Sequence, residues 1–368
     1  MKELKIERLS HDLRGMAYAD GVTWFVEGAL PGETVLAREL ARRQQLVDAE
    51  AVDILSAATG RVVPACEYYG RCGGCSLQHV EHAEQVLLKQ QILLGQLARI
   101  GKVKPATVAA PLLSSPWDYR RRARLACKWS SQEKHLALGL RERHSQQIVE
   151  IRHCAVLVPA LEVLLEPLRS CLSRWSQPRQ LGHVELLAAD NGAGVLLRVL
   201  VQPSEVDVAL LHGLSVTTGA SVFLQLEEKQ APHYLCGPQQ SLSVGHEYHG
   251  AVIDCLPGDF VQGNAAVNEQ LVDAVLAAIQ PVATDVVLEA FCGLGNFTVP
   301  LASHVASVVA LEVSEVMLAR ARQSAVAGAI RWQACDLDAF DPAALQLPKA
   351  NKILLDPPRD GAQAFCRA

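Results

Sequence analysis

The stretch from residue 266 onward alternates two periodicities, and that alternation limits the fold more than any other feature of the chain. NEQLVDAVLAAIQ (268–280) carries apolar residues at helical spacing. TDVVLEAFCGLGNFTVPLA (284–302) reads as strand, glycine loop and helix, and HVASVVALEVSEVMLARARQSA (304–325) repeats strand and helix. IRWQACDLDAF (330–340) and KANKILLDPPRDGA (349–362) add a third and a fourth strand. Strands alternating with helices predict a doubly wound parallel sheet, with ligands expected at the carboxyl ends of its strands.

The loop after the first of these strands is Cys292-Gly293-Leu294-Gly295-Asn296-Phe297. A full dinucleotide fingerprint needs glycine at position 298, where the chain has Thr298. The shortened pattern, the preceding acid Glu289 and the later Asp356-Pro357-Pro358 loop fit S-adenosylmethionine better; a nucleotide site without methyl transfer is the alternative. Glu312 ends the second strand, where an acid accepts both ribose hydroxyls. Asp336 ends the third, where a carboxylate accepts from an adenine amino group, and Phe291 is expected to pack against the ligand. Enzymes that methylate exocyclic amines carry an aromatic after the Pro-Pro. Arg359 stands there instead and points to chemistry at a pyrimidine carbon.

Upstream, CEYYGRCGGC places Cys66, Cys72 and Cys75 within ten residues, and Cys154 follows in RHCAVL. The charged start MKELKIERLS does not read as a signal peptide, and no apolar run reaches the length of a membrane span. A cytoplasmic protein with reduced thiols is therefore expected, and thiols so grouped predict a metal site. One CxxC without a second knuckle favours a 4Fe–4S cluster on three-plus-one thiolates. Zinc with His79 or His153 is the alternative, unrelated buried cysteines the bland one. Gly70, Gly73 and Gly74 allow the backbone to curl round a bulky core.

Three domains are expected. Residues 1–60 hold short alternating stretches, LKIERL, GVTWFVEG, TVLARELA and VDAEAVDIL, punctuated by Gly15, Gly21 and Pro31-Gly32. They predict a small OB-like barrel, structural or RNA-binding. Residues 61–258 carry the thiols, an amphipathic helix over 79–100, and the β-like stretches HVELLA, GVLLRVLV and SVFLQLEE of an antiparallel sheet. PWDYRRRARLACKW concentrates Arg120, Arg121, Arg122 and Arg124 beside Trp117, Tyr119 and Trp129. Arginines on phosphates with aromatics on bases make this strip the candidate RNA contact, a solvated charged face being the alternative. With a net charge of −5, any basic patch must be local. Residues 259–368 form the parallel sheet.

The cysteine set, PWDYRRRARL, DFVQGN (259–264), FCGLGNF (291–297) and LLDPPR (354–359) together resemble the RNA uridine C5-methyltransferases, most closely the branch acting on 23S ribosomal RNA, over essentially the whole chain. The resemblance implies an N-terminal TRAM domain, a central iron–sulfur and RNA-contact domain, and a Rossmann-like methyltransferase domain. It implies that Cys66, Cys72, Cys75 and Cys154 hold a 4Fe–4S cluster. It implies that Gln262, Phe291, Asn296, Glu312, Asp336 and Asp356 bind S-adenosylmethionine. The family often has asparagine at the position of Asp336 and a different residue at Gly263. The partner implied is 23S ribosomal RNA; a monomer without membrane contact is expected. The family's chemistry needs a thiolate that adds to uracil C6, supplied from a Ser-Cys-Asn-Pro segment roughly 25 residues after the DPP loop, and a later glutamate base. The chain stops at Ala368. Cys366 lies too near Asp356 and lacks Asn-Pro, and Cys292 sits in the cofactor loop. The expectation is a chain truncated within its last domain, without its nucleophile and inactive by itself. The alternatives are a noncatalytic iron–sulfur RNA-binding fragment and an amino-group methyltransferase.

Overall fold

The computed structural model describes residues 1–226, 230–246, 250–324, 328–343 and 345–368. They divide into two compact units, 1–111 with 140–149, and 112–139 with 150–368. Residues 140–149 return to the first unit after the second has begun.

The first unit opens with six strands: β1 (Lys2–Lys5), β2 (Arg8–Leu9), β3 (Gly15–Ala19), β4 (Val22–Glu27), β5 (Thr34–Arg43) and β6 (Leu46–Ser56). They form one sheet in the order β1-β5-β6-β4-β3-β2, antiparallel except for β4 beside β6. Alternation explains its burial: Trp24 and Val26, Val35 and Ala37, Val47 and Ala49 face inward while their neighbours face out. Leu4, Ile6 and Ala17 join the same core, so the sheet curves round one apolar interior. A Cβ at Gly15 would meet Ala29 O and Ile6 Cγ2 at 2.9 Å, and this close approach is why no larger residue fits there. Glu33 is fully buried; burial raises its pKa, but Arg61 and the amides of Ala58 and Leu30 outweigh that and hold the carboxyl below its ordinary range. Helix α1 (His82–Arg99) follows, capped by the Glu81 carboxylate, which accepts from Ala83 N and Glu84 N.

The second unit begins with β7 (Arg122–Ser130) and β8 (His135–Arg141). The last two residues of β8 pair with β9 (Ile148–Val149) inside the first unit. Next come α2 (Pro159–Glu162), α3 (Leu165–Leu172), β10 (Leu181–Ala189), β11 (Gly192–Val199), α4 (Glu205–Thr218), β12 (Ser221–Gln225) and β13 (His233–Cys236). The sheet runs β13-β12-β11-β10-β7-β8. It is antiparallel, as expected, except that β12 lies parallel to β11, since α4 carries the chain back across the layer. Strand β12 ends at Gln225; residues 227–228 of the predicted stretch lie outside the described residues. A two-stranded ribbon, β14 (Leu242–His246) with β15 (Ala251–Cys255), leads into the last layer.

That layer is α5 (Ala265–Ile279), β16 (Val286–Ala290), α6 (Thr298–Ala302), β17 (Ser307–Glu312), α7 (Glu315–Ala321), β18 (Ile330–Ala334), β19 (Lys352–Leu355) and α8 (Gln363–Arg367). The sheet order is β18-β17-β16-β19, all parallel, as the alternation predicted. Its two faces are covered separately. Val287 and Val308 pack with Leu276 of α5 and Leu301 of α6. Leu288, Ala290, Val309 and Leu311 pack on the other face with Leu337, Phe340 and Phe365.

Candidate functional site

A cavity of about 590 Å³ opens over the carboxyl ends of the parallel strands. Phe291 to Gly293 follow β16, Glu312 and Val313 end β17, Asp336 to Asp338 follow β18, and Asp356 to Pro358 follow β19; all line it. Gln262, Phe291, Asn296, Glu312, Asp336 and Asp356 therefore line one cavity, although they are spread over 95 residues of sequence.

The glycine loop owes its shape to backbone freedom and to the strands below it. Phe291, Gly293 and Gly295 take φ of +65°, +58° and +95°. A Cβ on Gly295 would lie 2.6 Å from the Trp332 ring. Cys292 N donates to Leu311 O at 3.1 Å. Glu312 is tied into the loop: one carboxylate oxygen accepts from Gly293 N and the other from Ser314 N, both at 3.0 Å. Each oxygen keeps a lone pair for a ligand. Asp336 accepts from Asp338 N at 3.0 Å, which turns the loop after β18.

Glu289 lies beneath the loop, 2 % exposed, and accepts from Thr298 Oγ1 at 2.6 Å. Burial and then the nearby Asp356 carboxylate raise its pKa to about 8 against the opposing Thr298 bond, so it is neutral near pH 7. Asp356 also sits above its ordinary range, because its position in the wall costs it hydration. Burial pushes the Cys292 thiol far up, with Glu289 and Glu312 adding to the effect. It holds no thiolate at neutral pH.

DFVQGN adds Phe260, Val261 and Gln262 to the lining. Asp259 pairs with Arg320 at 2.7 Å, Phe260 lies under the Arg122 guanidinium, and Gly263 O accepts from Arg121 N. Here the arginine strip departs from expectation. Arg121 is 8 % exposed and donates to Ala188 O and to Asp190, so it braces the cavity from inside. Arg122 is half-buried, and desolvation lowers its pKa. Arg124 is exposed, near His183 and Glu185. Only Arg122 and Arg124 lie in β7, two residues apart and so on one face; Arg121, just before the strand, turns inward, and the four arginines do not make one surface. The reading from sequence also missed Asn268, one turn into α5, which pairs with Asn296; its signal was the spacing Asn264-x-x-x-Asn268 at a helix start.

In the first unit, Cys66, Cys72 and Cys75 are half-buried on one loop. Burial raises the Cys72 thiol, and Cys75 and Cys66 add to this; Gly74 N donates to Cys72 Sγ at 3.4 Å. Arg143 fastens the loop, donating to Cys75 O at 2.7 Å and to Arg71 O at 2.9 Å while pairing with Glu27. His79 bonds Tyr69 at 2.5 Å, and burial lowers its pKa to about 4. Among the described residues, no group of three or more His, Cys, Asp or Glu converges on a single metal ion. No cysteine among them forms a disulfide. Cys154 belongs to the second unit. As donors, three soft thiols on one clamped loop are of the type that both zinc and iron–sulfur clusters take.

A parallel α/β layer with acids and a glycine loop round a cavity at its strand ends defines a nucleotide-type cofactor domain. Residues 240–332 match the family described as tRNA (Uracil-5-)-methyltransferase. The chain is 42% identical over 365 residues to the 23S rRNA (uracil(1939)-C(5))-methyltransferase RlmD of Pseudomonas savastanoi pv. phaseolicola, covering 98% of this chain and 80% of that relative. It is 40% identical over 368 residues to the RlmD of Pseudomonas aeruginosa, with the same two shares. In fold it is similar to the Pyrococcus abyssi tRNA (uracil-54, C5)-methyltransferase solved with S-adenosyl-L-homocysteine. The TM-score is 0.70 at 17% identity, over 99% of this chain and 86% of that one. The chain belongs to the RNA uracil-C5 methyltransferase family.

Proposed function

We propose that this chain binds S-adenosylmethionine in the cavity and serves methylation of a uridine C5 in 23S ribosomal RNA. The observation that carries this reading is the meeting of Gln262, Phe291, Asn296, Glu312, Asp336 and Asp356 round one cavity. When bound, the cofactor supplies a methyl group on a sulfonium. Glu312, oriented by two backbone amides, accepts the ribose hydroxyls. Asp336 accepts from the adenine amine, and Phe291 packs on the ligand. Gln262, Asn296 and Asp356 supply further polar contacts to the cofactor, and Arg359 in place of an aromatic disfavours amine chemistry. Calorimetry tests the reading: the chain should bind S-adenosylmethionine in preference to NAD, and the reverse preference sinks it.

Uracil C5 becomes nucleophilic when a thiolate adds at C6. We assign no such thiolate among residues 1–368. Cys292 is held neutral by burial, and Cys366 is exposed on the five-residue α8. The 368-residue chain is expected to bind cofactor and RNA without releasing tritium from 5-tritiated uridine. Release would name Cys366 as the first residue to replace. Binding without turnover is thus the second reading, favoured by the buried state of Cys292.

The proposal includes a 4Fe–4S cluster on Cys66, Cys72, Cys75 and Cys154, supported by their spacing and by the clamped glycine loop of the first three. The cluster enters no step of the transfer. It also includes a TRAM-type, RNA-facing role for β1–β6 and a cytoplasmic, monomeric protein.

A further inference from the structure

The Asn296 amide is not held by its own loop. Its Oδ1 accepts from Asn268 Nδ2 at 2.8 Å, and its Nδ2 donates to Asn268 Oδ1 at 2.9 Å. Both residues line the cavity and both are half-buried. A reciprocal amide pair consumes one N–H and one lone pair on each side, leaving one of each. Asn268 stands on a pinned element. The Asn264 side chain caps α5 by accepting from Val267 N at 3.1 Å and donates to Ser114 Oγ at 2.7 Å. Gln270 exchanges two bonds with the backbone of Leu113. The loop it steadies has left-handed residues at 291, 293 and 295 and leads into a helix of five residues, too short to fix the loop by itself.

We infer that Asn268 is a positioning residue: it fixes the rotation of the Asn296 amide so that the remaining N–H and lone pair of Asn296 are presented to the cofactor. The inference rests on the reading that Asn296 contacts the cofactor.

The test uses calorimetric binding of S-adenosylhomocysteine to the 368-residue chain and to N268L, N268D, N296A and the double variant N268L/N296A, all at pH 8. N268L removes both bonds and should weaken binding about tenfold, the size expected for loss of orienting hydrogen bonds. In N268D the new side chain is ionised at this pH and a carboxylate oxygen opposes Asn296 Oδ1, so binding should weaken at least as much. Because Asn268 acts through Asn296, N268L should cost less than about twofold more once N296A has removed the amide it orients. A full tenfold loss from N268L in the N296A background overturns the inference and leaves the cofactor reading intact. N268L and N268D binding as tightly as the parent, with N296A impaired, has the same consequence. N296A binding as tightly as the parent defeats the cofactor reading and the inference with it.

Discussion

Two glycine-bearing loops carry the chemistry proposed here, and they are finished to different degrees. In the loop 291–297 the protein supplies nearly every partner: Leu311 and Glu312 hold its amides, Asn268 holds its side-chain amide, and the strand ends below bring four acids to one cavity. In the loop 66–75 the backbone is equally well fastened, by Arg143 and by the Tyr68 and Cys66 carbonyls. Its thiols nonetheless do not converge on an ion. A loop at the end of a parallel sheet inherits its order from the sheet, whereas the thiol loop takes its order from its own turns and from Arg143.

The largest effect expected is on the thiol loop. Anaerobically purified protein should carry about four irons and four sulfides per chain, and Cys72→Ser should lose them entirely. Metal analysis giving stoichiometric zinc and no acid-labile sulfide would break the comparison, because the thiols would then have to close on a single ion.

Glycine substitutions sharpen it next. Gly295→Ala forces a Cβ to 2.6 Å from Trp332 at φ +95° and should cost about 2–4 kcal/mol of stability in urea denaturation. At Gly74 a Cβ meets Cys72 Sγ and Leu140 at 3.4 Å with no left-handed φ, and Ala should cost less than about 1 kcal/mol. Equal costs would mean the two loops are equally plastic.

Cofactor affinity comes third. Glu312→Ala should weaken S-adenosylmethionine binding by about 1–3 kcal/mol, because charge-assisted bonds and the brace on Gly293 go together. Unchanged affinity would remove Glu312 from the ligand's partners.

The fourth prediction concerns pH. Glu289 titrates near 8 in the folded chain and near 4.5 when unfolded, so the folded state holds its proton longer. Its contribution is fully present below about pH 4.5 and is lost as pH rises through about 8. Glu289→Gln should flatten the fall in melting temperature between pH 5 and pH 8, and an unaltered slope would show that Glu289 ionises normally.

Arg124→Ala should produce the smallest effect. An exposed arginine on a phosphate contributes about one unit of salt slope in RNA binding. The variant should lower the slope by that amount without changing stability, while Arg121→Ala should destabilise the fold through Asp190 and Ala188. Equal loss of salt slope in both would return Arg121 to the RNA surface.

Local pattern made much of this molecule legible. Alternating Trp24, Val26, Val47 and Ala49 announced the wrapped sheet, and the repeated strand–helix units announced the parallel layer, because period two and period 3.6 are printed directly in apolar spacing. The ends of parallel strands are also predictable points, which is why Phe291, Glu312, Asp336 and Asp356 meet round one cavity; Gln262, from the segment before α5, was named only through the family resemblance. The direction of single side chains was not legible. The arginines split because Arg121, just before β7, is drawn inward by Ala188, Asp190 and the Gly263 carbonyl, while Arg124 on the strand stays exposed. The parallel placement of β12, the return of residues 140–149 to the first unit and the Asn268–Asn296 pair depend on contacts between positions far apart in the chain. So does the neutral state of Glu289, since burial under a loop and the distance to another acid are properties of the assembled fold. The sequence by itself determined which elements form and which chemical groups they carry; tertiary structure decided which of those groups face one another and in what charge state.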